Sequence, residues 1–93
     1  MVIDRLGESQ KSTLVVLLAL ERKGVTQIDM SKLLGIINNS RLNPVHKNNF
    51  RIGVKRLAEK GLINRRLTTS LTWAMALTQK GREKAQALEK MYN

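Results

Sequence analysis

Lys47, Asn48, Asn49, Arg51, Lys55 and Arg56 crowd into one short stretch, and their types define a chemistry before any fold is invoked. A carboxamide carries a donor and an acceptor side by side, so Asn48 and Asn49 suit bidentate pairing with an adenine edge. Guanidinium and ammonium groups only donate, which suits Arg51 and Lys55 to the paired acceptors of guanine. Lys47 and Arg56 add positive charge to the same stretch. Downstream, Arg65 and Arg66 suit phosphate or a narrow minor groove, and Thr68, Thr69 and Ser70 can donate to phosphate. Upstream, Lys32, Ser40 and Arg41 are within reach of the same ligand, with Arg41 the best placed of them. The alternative for each is an ordinary solvated charge or turn residue.

Catalytic chemistry has no comparable support. The chain has no cysteine, and its one histidine, His46, reads as a cap-region or phosphate-facing residue. Its seven carboxylates are scattered. Gly35, Gly53 and Gly61 are separated singles, not a phosphate loop. No nucleophile–base pair or metal cluster can be assembled, so an enzyme, a metal and a cofactor are not expected.

The charge is segregated. Net charge is +10 over 93 residues. Arg5, Lys11, Arg22 and Lys23 balance Asp4, Glu8, Glu21 and Asp29, and at the other end Lys84 and Lys90 balance Glu83 and Glu89. The whole excess lies in residues 30–82, where Glu59 is the only acid. Segregated basicity implies a polyanion partner, whereas uniform basicity would imply only solubility. Three aromatic residues, Phe50, Trp73 and Tyr92, are too few for the stacking surfaces of single-strand binders, and Trp73 reads as core or wing packing.

A hydrophobic content of 42% can build a modest core, and one domain over 1–93 is expected. The longest apolar run, Leu14–Leu20, falls far short of the roughly 20 residues that span a bilayer. The N-terminus lacks the plan of a secretory signal, so a cytoplasmic, nucleoid-associated protein without a membrane partner is expected.

The elements that must position the basic residues can be read from pattern. Ser9 can cap a first helix to about Lys23, stopped by Gly24, with Leu14, Leu17, Leu18 and Leu20 as a broad apolar face. Thr26 and Asp29 resemble a capping box for a short second helix over Gln27–Leu34, ended by Gly35. Residues 36–42 read as a connector. Asn43 as cap and Pro44 at the first helical position start a third helix running to about Lys60, stopped by Gly61. Phe50, Val54 and Leu57 form its buried stripe, and at 100° per residue Asn48, Ile52, Lys55 and Glu59 face away from it. Ile52 is either a contact for a thymine methyl or, one residue out of phase, part of the core. Leu62–Leu67 and Leu71–Leu77 read as strands joined across 68–70, the second alternating Leu71, Trp73, Met75 and Leu77 on one face. Thr78 can cap a last helix to Tyr92, with Ala85, Leu88, Met91 and Tyr92 as its stripe.

The result is mainly α with a small β-hairpin, in the order helix, helix, helix, strand, strand, helix. That is the winged helix-turn-helix arrangement. Lys55-Arg56-Leu57-Ala58-Glu59-Lys60-Gly61-Leu62-Ile63-Asn64-Arg65-Arg66 resembles the end of the recognition helix and first wing strand of MarR- and PadR-type regulators. Leu77-Thr78-Gln79-Lys80-Gly81-Arg82 resembles the junction into their last helix. Long dimerisation helices are missing and the wing tip is short, so a small-molecule effector is not expected. The resemblance implies a transcriptional regulator that binds double-stranded DNA as a homodimer through its first and last helices. The third helix would enter the major groove with the 62–77 hairpin as wing. A non-specific architectural protein and a winged-helix docking module are the alternatives, and a monomer could bury both outer helices in its own core.

Overall fold

In the computed structural model, which describes residues 6–39 and 41–91, helix α1 spans Glu8–Arg22. It begins one residue before Ser9, because Gly7 is the cap: the Gly7 N–H donates to Gln10 Oε1 at 2.8 Å. Leu14, Leu17 and Leu18 are buried along it, with Val15, Val16 and Leu20 packed against the core's edge. The chain leaves the helix through Gly24, whose φ of +92° few other residues tolerate.

The second element departs from expectation twice. Ile28–Asp29 is a strand, β1, and helix α2 runs Met30–Asn39 instead of 27–34. Asp29 Oδ1 accepts from the Ser31 N–H at 2.7 Å, so the acid expected to close a capping box is itself the capping group. Gly35 does not stop the helix. Leu33 and Ile37, one turn apart, are both buried, and their burial carries the helix past a glycine that costs about 1 kcal/mol in isolation.

Helix α3 spans Lys47–Glu59, with His46, not Asn43, at the N-cap position and no cap bond from its side chain. Its late start has a cause outside the helix. Asn38, at the end of α2, pairs its carboxamide with the backbone of Val45 in both directions, Nδ2 donating to the carbonyl at 3.1 Å and Oδ1 accepting from the N–H at 2.9 Å. This clamp holds the segment after Pro44 out of the helix and fixes how α3 leaves α2. Phe50, Val54 and Leu57 form the buried stripe as expected, and Ile52 lies on the outer face, half exposed.

Strands β2 (Ile63–Leu67) and β3 (Trp73–Leu77) form the hairpin, in the register Ile63 with Leu77, Arg65 with Met75 and Leu67 with Trp73. On its other edge β3 pairs with β1, Ile28 opposite Met75, giving the antiparallel order β1-β3-β2. Helix α4 spans Gln79–Met91. Thr78 caps it, accepting from the Gly81 N–H at 3.0 Å while donating to the Gly61 carbonyl at 2.6 Å. Gly81 is required here because the Leu62 carbonyl passes so close that an added Cβ would overlap it. Ala85 and Leu88 are buried against the core, but Met91 is 76% exposed and leaves the expected stripe. Tyr92, Ser40 and residues 1–5 lie outside the described residues.

Helices α1 and α4 pack on each other within the chain, tied by Arg82 to Glu21 (2.5 and 3.0 Å) and Arg22 to Glu89 (2.6 Å). No helix among the described residues is long and apolar enough to cross a membrane.

Candidate nucleic-acid interface

The outer face of α3 and the inner base of the hairpin form one surface. Asn48, Arg51, Ile52 and Lys55 recur at helical spacing, and Arg65 from β2 closes an open groove of about 470 Å³ beside them. None of these groove-lining residues is acidic. The ion pairs Lys11–Glu8, Arg22–Glu89 and Arg82–Glu21 each involve α1 or α4. Three cations of the central block, Arg51, Lys55 and Arg65, line the groove.

Arg65 is placed by the sheet. It shares a face with Met75 and Leu77, but where those residues point into the core, the strand carries Arg65 beyond the core's edge. There its guanidinium sits 4.7 Å from the centroid of the Trp73 ring, a cation–π contact that keeps the charge extended beside α3. Sequence reasoning gave Trp73 only a packing role. The register Leu67 with Trp73 puts Arg65 and Trp73 on one face, and that register follows only once the turn is known.

The remaining expected residues are distributed around this groove. Asn49 and Arg56 are exposed on α3 on the flank away from Arg51. Lys47 stands next to Arg51 over a small crevice between α2 and α3 that also touches Met30 and Leu34. Arg66 points to the opposite face of the hairpin, where its Nη2 donates to Gln27 Oε1 at 3.1 Å. Thr69 is exposed at the hairpin tip, between the half-buried Thr68 and the exposed Ser70. Lys32 lies on the exposed side of α2. Arg41 lies apart: its Nε donates to the Asn43 carbonyl at 3.3 Å, and it rims a separate hollow floored by Val15, Val16, Ile36 and Ile37. Two basic residues of the central block are turned to structural use, Arg82 in its pair with Glu21 and Lys80 on the Lys60 carbonyl at 3.2 Å.

A three-helix core with α3 outermost, followed by a hairpin that continues its exposed face, decides the architecture. The fold is a winged helix. Solved structures superpose on it over most of its length. F93 from STIV, described as a winged-helix DNA-binding protein, matches with a TM-score of 0.73 at 10% identity, covering 95% of this chain and 91% of that one. SSV1 F-93 matches with a TM-score of 0.64 at 22% identity, over 87% of this chain and 84% of that one. The ORC2 protein of Aeropyrum pernix matches with a TM-score of 0.69 at 17% identity, over 95% of this chain but 25% of its own length. No family model and no curated protein sequence matches the chain. The likeness shows the winged-helix fold; it does not show the resemblance of residues 55–66 and 77–82 to MarR- and PadR-type regulators.

Proposed function

We propose that this winged helix binds double-stranded DNA, with α3 in the major groove and the β2–β3 hairpin as its wing. The observation that carries this reading is the acid-free groove in which Asn48, Arg51, Ile52 and Lys55 of α3 meet Arg65 of β2. Amide, guanidinium and ammonium groups at the spacing of one helix face match the paired donors and acceptors of base edges, and the exposed Ile52 offers an apolar contact to a thymine methyl. Arg56, Lys47 and Asn49 flank the face and serve the phosphates, as do Arg66, Arg41 and Thr69 farther out. The structural neighbour described as a winged-helix DNA-binding protein supports the reading.

The role is that of a sequence-specific regulator acting as a homodimer at a site with two-fold symmetry, with the whole of 1–93 as one DNA-binding unit working where the DNA is, in the cytoplasm. No catalysis and no cofactor are part of it. Within one chain, α1 and α4 already bury Leu14, Leu18, Ala85 and Leu88, so a partner would cover the half-buried Val15 and Val16 of α1 or the exposed Met91 of α4. Isologous pairing of that surface would set two reading helices about one turn of DNA apart. The test is selection of bound duplexes from a random pool, with the recovered site examined for two-fold symmetry. Recovery of a common motif is expected. A pool that stays random after repeated rounds removes sequence-specific reading, and failure to retain any duplex removes DNA binding altogether.

A further inference from the structure

The hairpin tip holds a residue that the chain has no internal reason to keep. The Thr68 N–H donates to the Thr72 carbonyl at 2.8 Å, the Leu71 N–H donates to the Thr68 carbonyl at 2.9 Å, and the Thr68 and Thr72 hydroxyls share a 2.8 Å bond. These bonds close a tight turn over Thr69 and Ser70 and leave Leu71 at the bulge position with φ +60°. Hairpins of this length put glycine or asparagine there, because a Cβ is disfavoured in the left-handed region. Leucine bears that steric cost and recovers no burial within the chain, for its side chain is 78% exposed. Leu67, the last residue of β2, is half exposed close by. Strain held in place by a rigid turn, at an apolar residue facing water, points to a contact made outside the chain.

We infer that Leu71, with Leu67 beside it, is an apolar contact of the wing tip for the DNA minor groove, packing against the sugar walls next to the segment that α3 reads. The inference rests on the DNA-binding reading and adds to it a residue outside the polar set. Three features favour a nucleic-acid occupant over a protein one. Thr69, Ser70 and Thr72 surround Leu71 with exposed residues whose hydroxyls suit phosphate oxygens. Arg65 and Arg66 follow on the same hairpin with positive charge on both of its faces. The hairpin also extends the surface on which the α3 groove opens. Apolar side chains, leucine among them, are used by minor-groove proteins alongside arginine and lysine.

The test uses opposite signs. Leu71→Gly and Leu71→Asn each suit the left-handed backbone better, so both variants should melt at or above the wild-type temperature. On the selected duplex each should bind roughly five- to tenfold more weakly. Hydroxyl-radical footprinting should show that the sugar protection flanking the α3 site is lost in both variants and kept in Leu71→Met. Wild-type affinity and an unchanged footprint in Leu71→Gly and Leu71→Asn would overturn the inference and leave DNA binding by α3 intact. If the wild-type chain binds no duplex, the underlying reading fails first and this contact falls with it.

Discussion

Arg65 and Trp73 are diagonal neighbours on adjacent strands, and the guanidinium of the first lies 4.7 Å from the ring centroid of the second. The contact turns a flexible cation into one with a set position, on the side of the hairpin that faces α3. Arg66, the next residue, has the same charge but lies on the other face, bonded to Gln27. The two arginines should therefore be unequal. Arg65→Ala should weaken duplex binding by about 1–2 kcal/mol, a factor of 5–30. Arg66→Ala should cost less, and Trp73→Leu should reproduce part of the Arg65→Ala loss. Fluorescence anisotropy titrations at one fixed salt concentration would separate them, and equal losses for both arginines would contradict the geometry.

Arg51 and Lys55 line the groove, whereas Arg56 stands on the other flank of α3. Replacing either of the first two by alanine should cost about 1–3 kcal/mol on the preferred site and much less on random DNA, so that preference shrinks. Arg56→Ala should weaken binding to all sequences alike and lower the salt slope by about 1. With about five phosphates neutralised per protomer, the wild-type slope of log K against log salt should lie near −4 to −5, doubling for a dimer. A slope shallower than about −2 would show that the basic block does not serve the duplex.

These groove residues were legible before any coordinates because their positions depend on one local regularity. Phe50, Val54 and Leu57 fix the rotation of α3, and once they are inward Asn48, Ile52 and Lys55 must be outward. The Thr78 cap was legible for a similar reason, since cap and helix are neighbours in the chain. What escaped was non-local. Ile28–Asp29 has no period of its own and is a strand only because β3 offers it an edge. Pro44 carries a strong local start signal, yet Asn38, on the preceding helix, bonds the backbone of Val45 and α3 starts only at Lys47. Gly35 looked like a terminus because the buried positions on either side of it, Leu33 and Ile37, are set by packing and not by propensity.

Gly81 tests how tightly the hairpin exit is built. A methyl group there would overlap the Leu62 carbonyl, which also accepts the Thr78 N–H at 3.2 Å. Gly81→Ala should destabilise the fold by about 3 kcal/mol, read as a lower urea midpoint. Gly35→Ala, at a helical site with open space around it, should be neutral or stabilising by up to about 1 kcal/mol.

The bonds between α1 and α4 predict an acid limb. The hydrogen bond from Arg82 holds Glu21 below the ordinary glutamate value of 4.5, against the opposing effect of desolvation, and Arg22 does the same for Glu89. A carboxylate with a depressed folded-state pKa stabilises above its unfolded value, and that contribution disappears as pH falls through the folded one. Thermal melts should thus be flat from neutral pH down to about 5 and drop below 4.5. The Glu21→Gln, Glu89→Gln double variant should melt lower at neutral pH and show a shallower drop in acid. Both glutamates are partly solvated, so the difference should be small.

A last consequence follows from the two residues of β1. By pairing with β3 they join the entrance of α2 to the hairpin, while the Asn38 clamp joins the exit of α2 to α3. Helix α3 and the hairpin are thereby bolted to a common brace, and the angle between them is set when the chain folds. If a duplex is gripped by both, any mismatch to that angle has to be taken up by the DNA, through bending or twisting. Base steps that no side chain reaches would then be selected by their stiffness, and sequence preference would extend past the last contacted base pair.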